Sequence, residues 1–334
     1  MLRCSTALGL GLGLGLGFVL PAQAVPRSGP AAVEHLDVQY AQGVAHDGRR
    51  NALDLYLPGG VDHPPLVVFL HGGGWSAGSK DRYAPLGEGL CARGIACAAL
   101  NTRMFPFVRP DAMVEDCARA FGFLWSHAGD YGYDPERMFL MGHSAGAHLV
   151  SWLALDPSKW ALTGAPAAAL RGVIALSGIY DARPRHRVLD KIFGEEAAAR
   201  AAASPALLVG DAAPPFQILW AERDIPGLGL TARAFANQLR RHGGAVETLE
   251  LAGYDHVDYM RALRQPGGGV LLPHVVDYVE RLCRARPAPA PAPAWQHGDV
   301  QQRLCDPIVG RLPVELFTPA RGAARQWLAL AADA

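Results

Sequence analysis

Apolar and polar residues alternate from Val33 to Tyr40 and again from Asn51 to Leu57, as they do on strands with one buried face. Leu66 to Leu70 has a different pattern. It is a short, unbroken apolar run that ends in glycines, which predicts a strand covered on both faces. Five further strands are expected over Gly94 to Leu100, Arg137 to Met141, Gly172 to Ser177, Phe216 to Trp220 and Ala245 to Leu251. Helical spacing of apolar positions falls between them, over Tyr83 to Arg93, Asp111 to Ala128, Ala145 to Leu155, Leu230 to His242 and Gly269 to Cys283. This alternation predicts an α/β fold with a mostly parallel sheet of eight strands and helices on both faces, spanning residues 33–286.

Three segments break the rhythm. Arg183 to Gly210 is an insertion between two strands and is expected to form a helical cap beside the site. Pro and Ala alternate from Pro287 to Pro293, so residues 287–294 read as a stiff linker before a tail of unassigned role, 295–334, with one helix expected near Ala323 to Ala332. At the other end, Arg3, the apolar run Ala7 to Leu20 and Ala22-Gln23-Ala24 have the make-up of a cleaved signal peptide over residues 1–24. The apolar run is too short and glycine-rich for a spanning helix, and Cys4 lies too early for acylation. The expected product is exported, periplasmic or extracellular, with no stable membrane insertion after cleavage. Export permits disulfides, but Cys91, Cys97, Cys117, Cys283 and Cys305 are odd in number, so at least one thiol stays free or pairs between molecules. A link from Cys283 to Cys305 across the Pro/Ala stretch is one option, and buried free thiols are the other.

Composition adds exclusions. Half of the 334 residues are hydrophobic and 19% are charged, which is too apolar for a disordered chain. Lysine plus arginine equals aspartate plus glutamate at 31 each, so no basic excess points to nucleic acid. No Cys-x-x-Cys pair is present, and no metal site is expected.

The chemistry concentrates in two glycine-rich segments. Gly142-His143-Ser144-Ala145-Gly146 lies between a predicted strand and a predicted helix. A G-x-S-x-G in that setting is a nucleophile elbow: a tight turn lifts the serine hydroxyl clear of the sheet, above the N–H groups that open the helix. His71-Gly72-Gly73-Gly74-Trp75 directly follows the strand Leu66 to Leu70. Without Cβ atoms, its N–H groups can converge on one point, so Gly73, Gly74 and Ala145 are the expected oxyanion donors. No Gly-Lys-Ser/Thr follows, which disfavours a phosphate loop. Trp75 and Phe105 are candidates to line an apolar substrate pocket.

Ser144 needs a base, and the base needs a carboxylate partner. Among twelve histidines, His256 follows the last predicted strand and so emerges at the carboxyl edge of the sheet with the elbow. His71 and His143 are expected to shape their loops. His143 and His148 have the wrong phase for a metal pair, and His274 looks structural. Asp224 follows the penultimate strand and is the expected acid; Asp181, Glu222, Asp255 and Asp258 are competitors.

With these motifs and the order serine, acid, histidine, the chain resembles the α/β-hydrolase superfamily. Within it, the chain is similar to the small carboxylesterases of the hormone-sensitive-lipase-like and feruloyl-esterase-like branch, related to isoprenylcysteine methylesterases and kynurenine formamidases. The resemblance runs from about Asn51 to Cys283. It is carried by Leu53 to Pro58, His71 to Trp75, Gly78-Ser79-Lys80, Asn101-Thr102-Arg103, Tyr131 to Arg137 and Gly142 to Leu149. It implies ester hydrolysis through an acyl-serine, with Ser144 as nucleophile, His256 as base, Asp224 as its partner, a small-molecule ester substrate and no cofactor. Gly74 follows the esterase form, where formamidases tend to carry a bulkier residue. A formamidase-like amidase and a noncatalytic binding protein on the same fold are the alternatives.

Overall fold

The computed structural model describes residues 31–42 and 49–285. The expected signal, Pro/Ala linker, tail, tail helix and Cys305 lie outside the described residues. Eight strands form one sheet: β1 (Val33–Gln39), β2 (Ala52–Leu57), β3 (Leu66–Leu70), β4 (Ala96–Leu100), β5 (Met138–His143), β6 (Leu170–Leu176), β7 (Phe216–Arg223) and β8 (Val246–Asp255). Ten α-helical segments accompany them: α1 (Ala84–Cys91), α2 (Pro110–Ser126), α3 (Ala128–Tyr131), α4 (Ala145–Leu155), α5 (Pro157–Trp160), α6 (Arg187–Phe193), α7 (Ala197–Ala202), α8 (Leu228–Arg241), α9 (Asp258–Leu263) and α10 (Leu271–Arg284).

The strand order is β1-β2-β4-β3-β5-β6-β7-β8. Strands β1 and β2 pair antiparallel with their neighbours, and the rest of the sheet is parallel. Side chains alternate between the faces, so two cores form. Leu66, Val68 and Leu70 join α2, α4 and α8 on one face, whereas Val67 and Phe69 join α1, α9 and α10 on the other. Helix α4 is buried almost all round, which its mostly small and apolar composition permits, with the buried His148 ring hydrogen-bonded at both nitrogens.

The chain leaves β3 toward β4 on one side and returns through β5 on the other. Loops after β3 and β5 therefore diverge, and a crevice opens between them at the carboxyl ends of the strands. The register puts Leu70 beside Gly142, so the two glycine-rich segments begin side by side.

Some boundaries differ from the pattern in the sequence. Strands β7 and β8 run further than their apolar cores, with Arg223 paired to Asp255 beyond an irregularity at Ala221. This solvated extension is held by polar contacts: Arg223 Nη2 donates to the Gly253 carbonyl, and the Gly253 N–H donates to Glu222 Oε2. No apolar alternation marks such a ribbon. Helices α3, α5 and α9 have six residues or fewer, too short for helical periodicity to register. The insertion is helical, through α6 and α7. Cys91, Cys97, Cys117 and Cys283 are free thiols, and burial pushes Cys91 up to about 12.

Candidate active site

Ser144 occupies the turn between β5 and α4 at φ 52°, a left-handed conformation costly for a residue with a Cβ. An ordinary N-cap serine accepts from its own helix. Ser144 does not; the strained turn aims its hydroxyl away from α4. The turn is fixed on both sides, since the Ser144 N–H donates to the Leu176 carbonyl at 2.8 Å and the Ser144 carbonyl accepts from His148 N–H at 3.0 Å. Gly146 permits this packing. A Cβ there would lie 2.2 Å from the Leu70 carbonyl oxygen and 2.6 Å from that of His71, so α4 could not approach the end of β3.

His256 follows β8 directly. Its Nδ1–H donates to Asp224 Oδ1 at 2.6 Å, and its Nε2 lies 3.0 Å from Ser144 Oγ. An ionised carboxylate only accepts, so the proton sits on Nδ1 and Nε2 is left to accept from Ser144. Burial alone would raise the Asp224 carboxyl; hydrogen bonds and charge from His256, with the Ser177 hydroxyl, outweigh it and hold it below the usual range. The three residues read from the sequence order thus stand in one hydrogen-bonded row. The competing acids are engaged elsewhere. Asp181 pairs with Arg183, Glu222 accepts from Gly253, Asp255 caps the N–H groups of Val257 and Asp258, and Asp258 pairs with Arg261.

Gly73 and Gly74 take φ values of 126° and 59° after β3. At Gly73 a Cβ would sit 2.1 Å from the Ala77 carbonyl oxygen, so only glycine fits this turn. The Gly73 carbonyl accepts from Ser76 and Ala77, closing the loop on itself. Among the described residues, the N–H groups of Gly73, Gly74 and Ala145 have no protein acceptor. Beneath the loop, buried Lys80 donates to Asp54 at 2.6 Å and to Asp37 at 2.7 Å, while its own N–H donates to Asn101 Oδ1. Burial opposes the Lys80 charge, but the two carboxylates outweigh it and raise its pKa. The segments carrying the resemblance around Asp54, Lys80 and Asn101 therefore anchor the glycine loop to β2 and β4.

Trp75, expected against substrate, is only 4% exposed. Its indole N–H donates to His148 Nδ1 at 3.2 Å, and His148 Nε2–H donates to the Ala203 carbonyl at 2.8 Å. Phe193 of α6 meets both rings edge-on. The glycine loop, α4 and the helical insertion are thereby tied together. Trp75 also borders a cavity of about 10 Å³ with Met104, Met113 and Leu149, no larger than one water needs. Phe105 N–H donates to the Trp75 carbonyl, and Lys191 lies over the Phe105 ring.

His143 Nε2–H donates to the His256 carbonyl at 3.1 Å, holding the base by its backbone. Desolvation by burial drives His143 well below its ordinary pKa, reinforced by the charge of His256, and burial brings His71 and His148 to about 4. These three rings are neutral near pH 7. One partner of the acid and the group behind it are not marked by any motif. Ser177 Oγ lies 2.5 Å from Asp224 Oδ2, and Tyr259 Oη lies 2.6 Å from Ser177 Oγ. One signal was present: Ser177 ends its apolar strand just as Ser144 follows β5, at the edge where sites collect.

The BD-FAE family model matches residues 53–226, just over half of the chain. Esterase LipQ of Mycobacterium tuberculosis is 30% identical over 247 residues, covering 67% of this chain and 57% of that protein. The isoprenylcysteine alpha-carbonyl methylesterase ICME of Arabidopsis thaliana is 37% identical over 140 residues, covering 40% of this chain and 33% of that protein. The chain thus spans less than two thirds of either relative. Esterase B from Lactobacillus rhamnosis superposes with a TM-score of 0.66 at 20% identity, over 78% of this chain and 88% of that one. This likeness shows the α/β-hydrolase fold expected from the sequence.

Proposed function

The chain belongs to the BD-FAE family, and on that premise we propose that it is a serine hydrolase that cleaves small-molecule carboxylic esters through an acyl-serine intermediate. The observation that carries the reading is the hydrogen-bonded row Ser144–His256–Asp224, with Ser144 packed against the glycine loop that follows β3. His256 takes the Ser144 proton as Oγ attacks the ester carbonyl. The oxygen gains charge among the N–H groups of Gly73, Gly74 and Ala145, each donor being worth about 3 kcal/mol in the transition state. His256 then protonates the departing alcohol. Water, deprotonated by the same imidazole, attacks the acyl-enzyme, and the acid leaves as Ser144 recovers its proton. Asp224 stays ionised and holds the imidazole in the tautomer that both half-reactions require. The reading includes export of the mature protein, as the sequence at residues 1–24 suggests.

The test is Ser144→Ala. Turnover of p-nitrophenyl acetate and labelling by a fluorophosphonate probe should both vanish while the folded state persists by circular dichroism. Labelling that survives would assign the nucleophile to another serine. N-formylkynurenine in the same assay separates an esterase from a formamidase: an esterase turns over the acetate ester far faster.

A further inference from the structure

We propose that Ser177 and Tyr259 are positioning residues for Asp224, arranged as a directed chain of hydroxyls; the inference rests on the hydrolase reading above. Ser177 is fully buried at the end of β6 and takes φ 48°, a left-handed backbone in a residue other than glycine. The strain places its Oγ 2.5 Å from Asp224 Oδ2. An ionised carboxylate offers no proton, so Ser177 must donate to it. A hydroxyl has one proton, so Tyr259, equally buried on α9, must donate to Ser177 across their 2.6 Å contact. Every proton in the path from Tyr259 to Ser177 to Asp224 is therefore assigned.

The carboxylate is saturated by this arrangement. Oδ1 accepts from His256 Nδ1–H and the Ile225 N–H, and Oδ2 accepts from Ser177 and the Ala221 N–H. Two oxygens with about four lone-pair directions meet four donors. Without Ser177, Oδ2 keeps only the 3.2 Å contact from Ala221, and the carboxylate gains freedom to rotate about its last bond. Rotation would misalign Oδ1 with the imidazole.

The same circuit returns to the base. The Tyr259 ring packs edge-on against His143 at 5.6 Å, and His143 donates to the His256 carbonyl. His256 is thus held through its ring by Asp224 and through its backbone by His143, and Tyr259 packs on His143 while reaching Asp224 through Ser177. Tyr180 also lies near Asp224, and burial raises its phenol so that it stays neutral.

The experiment is a double-mutant cycle with Ser177→Ala and Tyr259→Phe, assayed on p-nitrophenyl acetate. Ser177→Ala should lower kcat about tenfold with KM within about twofold, as expected for a lost hydrogen bond to a charged group. Tyr259→Phe should lower kcat about threefold. Because Tyr259 acts through Ser177, the double variant should lose no more than Ser177→Ala alone. The far-downfield proton resonance of His256 Nδ1–H should shift in Ser177→Ala, which a merely structural loss would not produce. Ser177→Gly removes the hydroxyl and relieves the backbone, and it should match the alanine variant. Additive losses, an unmoved resonance or wild-type kcat in Ser177→Gly would each overturn the proposal. If Ser144→Ala is inert while Ser177→Ala keeps full activity, only this inference fails. If Ser144→Ala itself retains wild-type kcat, the hydrolase reading fails first.

Discussion

At the Ser144 end of the reactive row the site is made by main chain: the hydroxyl stands on the strained turn after β5, packed against the glycine loop that leaves β3. At the Asp224 end, the carboxylate is met by the imidazole of His256 and the hydroxyl of Ser177, from the end of β8 and the end of β6, with two backbone N–H groups completing its shell. The first construction is local: a few consecutive residues, glycine where a Cβ would collide, and a strand before and a helix after. The second joins residues far apart in the chain whose types are common. Backbone geometry leaves a contiguous trace in a sequence, and a side-chain network does not.

That difference accounts for what the sequence made readable. The strands buried on both faces, β3 and β5, declare themselves as apolar runs, and each motif follows one of them directly. Ser144 and the glycine loop are placed by those neighbours alone. Asp224 needed the order of elements, and four other acids competed with it because nothing in a run of residues says which carboxylate meets an imidazole. Ser177 and Tyr259 escaped for the same reason, as did the inward turn of Trp75 toward His148, which depends on helices from the insertion. The extensions of β7 and β8 were missed because polar cross-strand contacts replace apolar alternation there.

The contrast is broken most directly at the side-chain end. Asp224→Asn keeps the shape but can present an amide N–H to His256 and favours the wrong tautomer. The expected loss is about 10⁴-fold in kcat, with the fold intact. Steady-state kinetics on p-nitrophenyl acetate, together with the rate of fluorophosphonate labelling, measure it. A loss below tenfold would mean that the carboxylate end is dispensable and that the backbone end alone carries the chemistry.

The backbone end is probed by adding a single carbon. Gly146→Ala puts a Cβ against the Leu70 and His71 carbonyl oxygens, and main chain cannot swing aside as a side chain can. The loop holding Gly73 and Gly74 must move away from the elbow. Displacing one donor corresponds to about 3 kcal/mol, roughly a 10²-fold loss in kcat. Labelling of Ser144 should slow in parallel, because the phosphonate oxygen uses the same N–H groups. An unchanged kcat with a lowered melting temperature would separate packing of α4 from formation of the donor site.

The two ends also answer differently to acid, and this is the smallest effect. His148, which ties the glycine loop to the insertion, has a folded pKa of about 4 against an ordinary value of 6.5, because burial disfavours its charged form. Between those values the unfolded chain binds a proton that the folded chain does not, so stability rises with pH across the window and falls on acidification. The contribution lost by pH 5 is about 2 kcal/mol. His71, at about 4 for the same cause, adds a similar slope. Asp224 works in the same sense but lower down. Its depressed carboxyl contributes stability that is present above its ordinary 3.8 and lost only as pH falls through its folded value. Mild acid should therefore cost stability through the backbone end while the Asp224 contribution remains. Urea midpoints at pH 7 and pH 5 test this with His148→Gln, whose amide can replace one donor and one acceptor without titrating. The variant should start less stable at pH 7 and lose less than the parent on going to pH 5. Equal losses would place the acid sensitivity at His71 and His143 and detach it from the tie to the insertion.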